Sequence, residues 1–247
     1  MKGLTLLLTL SVFAAAHAEA ARTAADAHLE GALLLQTLNA DLLSHDSATL
    51  TLERWCTDQK LAPELPAGDS DRAASEGIPS GDLASRSVAR IVAQRVAGAE
   101  KAPTDEQRRE LGVTASDIVR YRKVKLLCGE VVLSEADNWY VPGRLTPEIN
   151  KLLDTTDTPF GKAVQPLHFR RHTVSAQVLA RLLPERWWEM NPDALAASSK
   201  ELCVPAHVLE HRAVLTLPDG TPFSEVVETY SANVLTSVRS KLADCPH

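Results

Sequence analysis

The sequence predicts an α+β fold, with antiparallel strands joined by hairpins and helices grouped apart from them. Three observations carry that reading. On both sides of Cys128-Gly129-Glu130, apolar residues recur at every second position over 118–127 and 131–141, as in two half-buried strands joined by a tight turn. A second hairpin lies near the end, with strands at 212–217 and 223–230 about a Pro218-Asp219-Gly220 turn. Residues 24–43 instead show helical spacing, with a stripe of Leu29, Leu33, Leu34, Leu38 and Leu42. Strands and helices segregated in this way make a layered α+β domain.

The remaining elements follow in chain order. Met1-Lys2-Gly3 is a basic tip, 4–16 is a short apolar run, and Ala16-His17-Ala18 is an A-x-A site. Together they read as a signal peptide over 1–18, cleaved after Ala18, with an uncleaved anchor as the alternative. The expected product is a single domain over 19–247, periplasmic or secreted, with no membrane span after cleavage. His45-Asp46-Ser47-Ala48 breaks the first helix, and Asp46 or Ser47 can cap a second one running through Trp55. The alternation in 48–52 also fits a strand, but the cap and the continuing Glu53-Arg54-Trp55-Cys56 favour helix. Residues 61–82 are rich in Pro, Gly, Ser, Asp and Ala and read as a loop insertion. A strand is expected over 88–97. Thr104-Asp105-Glu106-Gln107 is a capping box that opens a short helix to Leu111. Pro147 suits the first turn of a helix near 146–153. A strand near 168–174 leads into a second loop insertion, 184–205, which contains Pro184 and Pro192.

Composition narrows the function classes. With 26 Lys and Arg against 32 Asp and Glu, the net charge is −6, and no basic block is present, so no nucleic-acid partner is expected. The four cysteines, Cys56, Cys128, Cys203 and Cys245, are even in number, which in an oxidising compartment suggests two disulfides with three connectivities. Cys56–Cys128 and Cys203–Cys245 are the expected pairs: one ties a helix end to a strand end, and the other ties down the C-terminal tail. Buried free thiols are the alternative. No CxxC, GxSxG or Gly-rich phosphate loop occurs, and no cofactor is expected. His168/His172 and His207/His211 are each spaced four apart. Both lie in or beside strands, where such a pair spreads about 13 Å, so no metal site is expected. Trp187-Trp188 reads as packing for the second insertion, with groove lining as the alternative.

Arg122 carries the functional argument. Side chains alternate along a strand, so Arg122 points with Val124 and Leu126 toward the core, while Lys123 and Lys125 point away. A guanidinium on an apolar face needs an anion opposite it, either an internal carboxylate or a ligand. In the last strand each face holds one carboxylate, Glu225 on one and Glu228 on the other. Glu228, between Val226 and Tyr230, is the preferred inward group, with Glu225 left open. The two charged groups either pair with each other or form two ends of a small-molecule site.

These residues resemble the chorismate lyase family. The similar segments are Arg122-Lys123-Val124-Lys125-Leu126-Leu127-Cys128, Ala136-Asp137-Asn138-Trp139-Tyr140-Val141-Pro142, Thr158-Pro159-Phe160-Gly161 and the Gly220-Thr221-Pro222 hairpin. Asp46-Ser47-Ala48-Thr49 looks like that family's N-terminal loop, so the likeness runs from about Leu33 to Tyr230. Leu111-Gly112-Val113 is also similar to the UTRA effector-binding domains that share the fold. The resemblance implies a six-stranded antiparallel sheet with helices packed on one face. It implies that Arg122 holds a carboxylate and that amides near Ala48 and Phe160 join the anion pocket. It further implies that Asn138 and Tyr140 contact the ligand and that Glu228, or Glu225, serves as proton carrier. Asn138 stands where such lyases tend to carry a second Arg. The partner expected is a small carboxylate, chorismate or 4-hydroxybenzoate-like. The reaction would be elimination of pyruvate; the alternative is a non-catalytic periplasmic binding module on the same fold.

Overall fold

The computed structural model describes residues 4–61 and 89–246, with side chains described from residue 24 onward. Seven helices are named here in chain order: α1 (Leu4–Ser44), α2 (Ala48–Asp58), α3 (Asp105–Glu110), α4 (Pro147–Thr155), α5 (Phe160–Ala163), α6 (Pro192–Ser199) and α7 (Thr236–Arg239). The strands are β1 (Ile91–Arg95), β2 (Arg120–Cys128), β3 (Val131–Tyr140), β4 (Arg170–Val178), β5 (His207–Thr216) and β6 (Pro222–Ser231). They form one six-stranded, fully antiparallel sheet in the order β1-β2-β3-β6-β5-β4. The expected α+β class and strand number are therefore observed. The loop insertion expected over 61–82 lies, beyond Leu61, outside the described residues.

Local signals in the sequence account for most of the boundaries. Ser47 caps α2, its hydroxyl accepting from the Leu50 amide, so 48–52 is helix and not strand. The capping box at Thr104 and Gln107 is made in both directions. Gly129 turns the β2–β3 hairpin in the left-handed region, at φ 57°, where a side chain would be strained. The buried stripe of α1 differs from the expected one. It runs Ala27, Gly31, Leu35, Leu38 and Leu42, whereas Leu33 is 68% exposed. Gly31 sits where a Cβ would come within 3.3 Å of Leu242, so α1 packs closely on the C-terminal segment there. The second insertion is not a plain loop. Asn191 accepts from the Ala194 amide and Pro192 occupies the first turn of α6, which packs against α1.

Helices α1, α2 and α7 cover the sheet face that carries Val124, Leu126, Ala136, Val226 and Tyr230, and together they bury the main core. A second core joins α4 and α5 to Phe169, Leu215 and Phe223. The helices are not confined to one face. Glu225 alternates with Val226, and α3 packs on the Glu225 side through Gln107. Lys101 lies over the Trp139 ring, and its carbonyl accepts from the indole N–H. Both expected disulfides are present. Cys56–Cys128 ties the end of α2 to the end of β2, with 6.1 Å between Cα atoms. Cys203–Cys245 holds the C-terminal segment, at 4.8 Å. Among the described residues no helix is long and apolar enough to cross a membrane.

Candidate functional site

The sheet register brings the inward polar residues together. Arg122 on β2 lies opposite Asn138 on β3, and Asn138 lies opposite Val226 on β6. One row along, Val124 faces Ala136 and Ala136 faces Glu228. Above these two rows the N-termini of α2 and α5 come close together. A Cβ added at Gly161 would lie 3.1 Å from both the Ser47 and Thr49 hydroxyls, so the absent side chain leaves room for that approach. The space left is a cavity of about 40 Å³. Its polar lining is Asp46, Ser47, Thr49, Arg122, Asn138, Arg171 and Glu228; its apolar lining includes Val124, Leu126, Phe160, Phe169 and Val226.

Arg122 is 4% exposed. Its Nη2 donates to the Thr158 carbonyl at 3.1 Å, and its Nε has no partner among the described residues. No carboxylate among the described residues comes within ion-pairing distance of it. Burial, with Arg95 nearby, pulls the guanidinium down to about 10. Glu228 does not pair with Arg122. Its Oε2 accepts from Arg171 Nη2 at 2.6 Å and from the Tyr230 hydroxyl at 3.3 Å. Burial would lower Arg171, but Glu228 outweighs it and the guanidinium is held above its ordinary value. Burial, reinforced by Glu228, pushes the Tyr230 phenol well up. Behind this pair His211 is fully buried, with Nε2 2.8 Å from Asn39 Oδ1 and its ring edge-on to Tyr230. Burial, then the Arg171 charge, lowers His211 to about 4.

Among the described residues the arrangement contains one matched ion pair and one cation without an anion. Arg171 and Glu228 neutralise each other, and Asp46 is spent on β4, accepting from the Arg171 amide at 2.8 Å and pairing with Arg170 at 3.4 Å. Arg122 is left facing a cavity onto which the N-terminus of α2 also opens. Helix N-termini carry unsatisfied amides and a partial positive charge, and α2 has no acidic residue in its first turn. The chemistry such a site favours is capture of a small anion.

Of the sequence-predicted site residues, the structure gathers Arg122, Glu228, Ala48, Asn138 and Phe160 around this cavity. One expectation is corrected, at Tyr140, and the alternative left open at Glu225 is closed. Tyr140 does not line the cavity; its ring packs on Phe160 at 5.5 Å and belongs to the second core. Glu225 faces the other side of the sheet, where it accepts from Arg212 Nε at 2.7 Å and from Gln107 Nε2 at 3.2 Å beneath α3. Asn138 is engaged with its neighbour, accepting from the Ser224 hydroxyl at 2.8 Å. The sequence reading misses Arg171. The parity argument used for Glu225 and Glu228 narrows it to one member of Arg170-Arg171 on β4, without saying which. The histidine pairs do not converge, and among the described residues no group of three or more His, Cys, Asp or Glu is placed to hold a metal. His168 precedes β4 in a left-handed conformation, and a register shift between His207 and Leu209 separates His207 from His211. Trp187 and Trp188 pack edge-on against each other, the first partly and the second largely exposed.

Comparison with known proteins places the chain. It is 46% identical over 207 residues to the uncharacterized protein y4mC of Sinorhizobium fredii (strain NBRC 101917 / NGR234), covering 84% of this chain and 77% of that protein. The chain belongs to the y4mC family. No protein-family model matches it. Among solved structures, the y4mC-family chain is similar to the effector domain of PhnF from Mycobacterium smegmatis. That likeness has a TM-score of 0.40 and 13% identity, over 58% of this chain and 82% of the other. It is also similar to a GntR-family transcriptional regulator from Enterococcus faecalis V583, with a TM-score of 0.37 and 13% identity, over 57% and 94%. At these TM-scores neither likeness bears on what the y4mC-family protein binds.

Proposed function

We propose that this protein is an exported small-molecule binding protein whose cavity takes a small aromatic or cyclic carboxylate. The observation that carries the reading is Arg122: buried and, among the described residues, with no carboxylate facing it and an unpartnered Nε beside the N-terminus of α2. A charge held in that state costs stability, and a ligand carboxylate would offset the cost through a two-point contact. Apolar side chains across the cavity suit the carboxylate-bearing edge of a ring, the rest of which would extend into the wider space beside Asp46, Ser47 and Phe169. Export is supported by the basic tip, apolar run and A-x-A site, and agrees with two disulfides.

A second reading, elimination of pyruvate from chorismate, draws on one specific feature. Arg171 places a second guanidinium beside the cavity, where Asn138 provides none, although Glu228 already balances its charge. Against it, Glu228 is tied to Arg171 and Tyr230 and is not free to move a proton. Binding is therefore the primary reading. Calorimetry with 4-hydroxybenzoate, alongside a coupled assay for pyruvate release from chorismate, tests both. Binding without pyruvate is the expected result. Pyruvate release would favour the lyase reading, and neither signal would remove both.

A further inference from the structure

We infer that the ligand is an elongated dianion, with one carboxylate on Arg122 and a second anionic group, carboxylate or phosphate, in an outer bowl on Arg54 and Arg170. This rests on the carboxylate reading above and adds a second subsite to it. The bowl has a volume of about 380 Å³ and adjoins the inner cavity across Asp46, Ser47 and Phe169, which line both. Volume divides the roles. The inner cavity, about 40 Å³, has room for a headgroup or a few waters, whereas the bowl is of ligand size. A ligand anchored on Arg122 would therefore keep much of its bulk in the bowl.

Charge in the bowl fits the same ligand. Arg54 Nη2 donates to the Thr51 hydroxyl at 3.1 Å, and no carboxylate pairs with Arg54 among the described residues. Arg170 is 73% exposed at its side chain and reaches Asp46 only at 3.4 Å, a contact that an incoming anion can replace. Asp46 is the one carboxylate among the bowl's lining residues, and it is already committed to the Arg171 amide. His45 and His168 complete the polar rim. Two guanidinium groups against one occupied carboxylate leave the bowl with a positive balance at pH 7.

The test is calorimetry on the mature, oxidised protein at low ionic strength, using linear dicarboxylates from succinate to sebacate beside monocarboxylates of matching length. In wild type, one dicarboxylate length should bind about tenfold tighter than its monocarboxylate, the effect of one added charge-assisted contact. A phosphono-carboxylate of that length distinguishes phosphate from carboxylate at the outer position. Arg54→Gln combined with Arg170→Gln should erase the gain and leave monocarboxylate binding unchanged, while Arg122→Gln should weaken both classes. Monocarboxylate binding with no dicarboxylate advantage at any length overturns the outer subsite and leaves the Arg122 reading standing. An advantage that survives the double substitution also overturns it. If neither class binds although 4-hydroxybenzoate does, the outer subsite is overturned and the Arg122 reading stands; if 4-hydroxybenzoate also fails to bind, the inner reading fails and the outer one falls with it.

Discussion

Replacing Arg122 with methionine should make the ligand-free protein more stable while abolishing carboxylate binding. Burial pulls the guanidinium from its ordinary value down to about 10. A guanidinium keeps its proton in proteins, so that displacement is an energy carried by the folded state, on the order of 3 kcal/mol. Methionine removes the charge and roughly preserves volume. It also removes the hydrogen bond to the Thr158 carbonyl, at a cost of about 1–2 kcal/mol. The expected net is a gain of about 1–2 kcal/mol, in line with other buried charges exchanged for apolar residues. Because the guanidinium stays charged, the burden is fully present at neutral pH. Urea denaturation at pH 7, comparing midpoints with slopes held equal, measures it. A loss of 2 kcal/mol or more, in the absence of ligand, would mean that Arg122 is a satisfied structural residue, and the anion-site argument would fail.

Other expectations follow from the same network. His211 is fully buried with its pKa lowered to about 4, so stability should be full above about 6.5 and fall by roughly 2–3 kcal/mol as pH drops through 4; His211→Asn should flatten that limb in urea midpoints taken across the range. Glu228→Gln should cost about 3 kcal/mol by leaving Arg171 without its anion, and Arg171→Met added to it should restore stability; strict additivity of the two losses would show that the pair is uncoupled. The disulfides close separations of 72 and 42 residues, so each Cys→Ser pair should lower stability by about 4 kcal/mol in the chain-entropy account, and non-reducing peptide maps should show only these two linkages.

The parts of the site that were legible in the sequence were those governed by parity and caps. β2 alternates cleanly, so Arg122 can be placed inward with Val124 and Leu126 before any packing is known. Parity also places Glu225 and Glu228 on opposite faces. It cannot say which face the helices cover, because that is decided by α1 and α2 docking from far along the chain. The same limit hides the roles of Tyr140, drawn into the second core by Phe160, and of α3, which closes over Glu225. Arg171 is harder to read because β4 is a largely exposed edge strand with no apolar alternation to set its phase. Leu33 and Leu35 compete for the same stripe of α1, and only the close approach at Gly31 decides between them. In 184–205, Pro192 reads as a breaker until Asn191 before it is recognised as a cap, which makes the proline a first-turn residue.

The most direct measurement of the central claim is the Nε–Hε resonance of Arg122 in a side-chain nitrogen–proton correlation spectrum, assigned by its loss in Arg122→Lys. In the ligand-free protein this N–H has no partner among the described residues. Titration with 4-hydroxybenzoate should move it downfield in a saturable way, as a charge-assisted hydrogen bond forms, while the Arg212 resonance on the opposite face stays in place. A 4-hydroxybenzoate complex that forms with the Arg122 resonance unmoved would contradict the account.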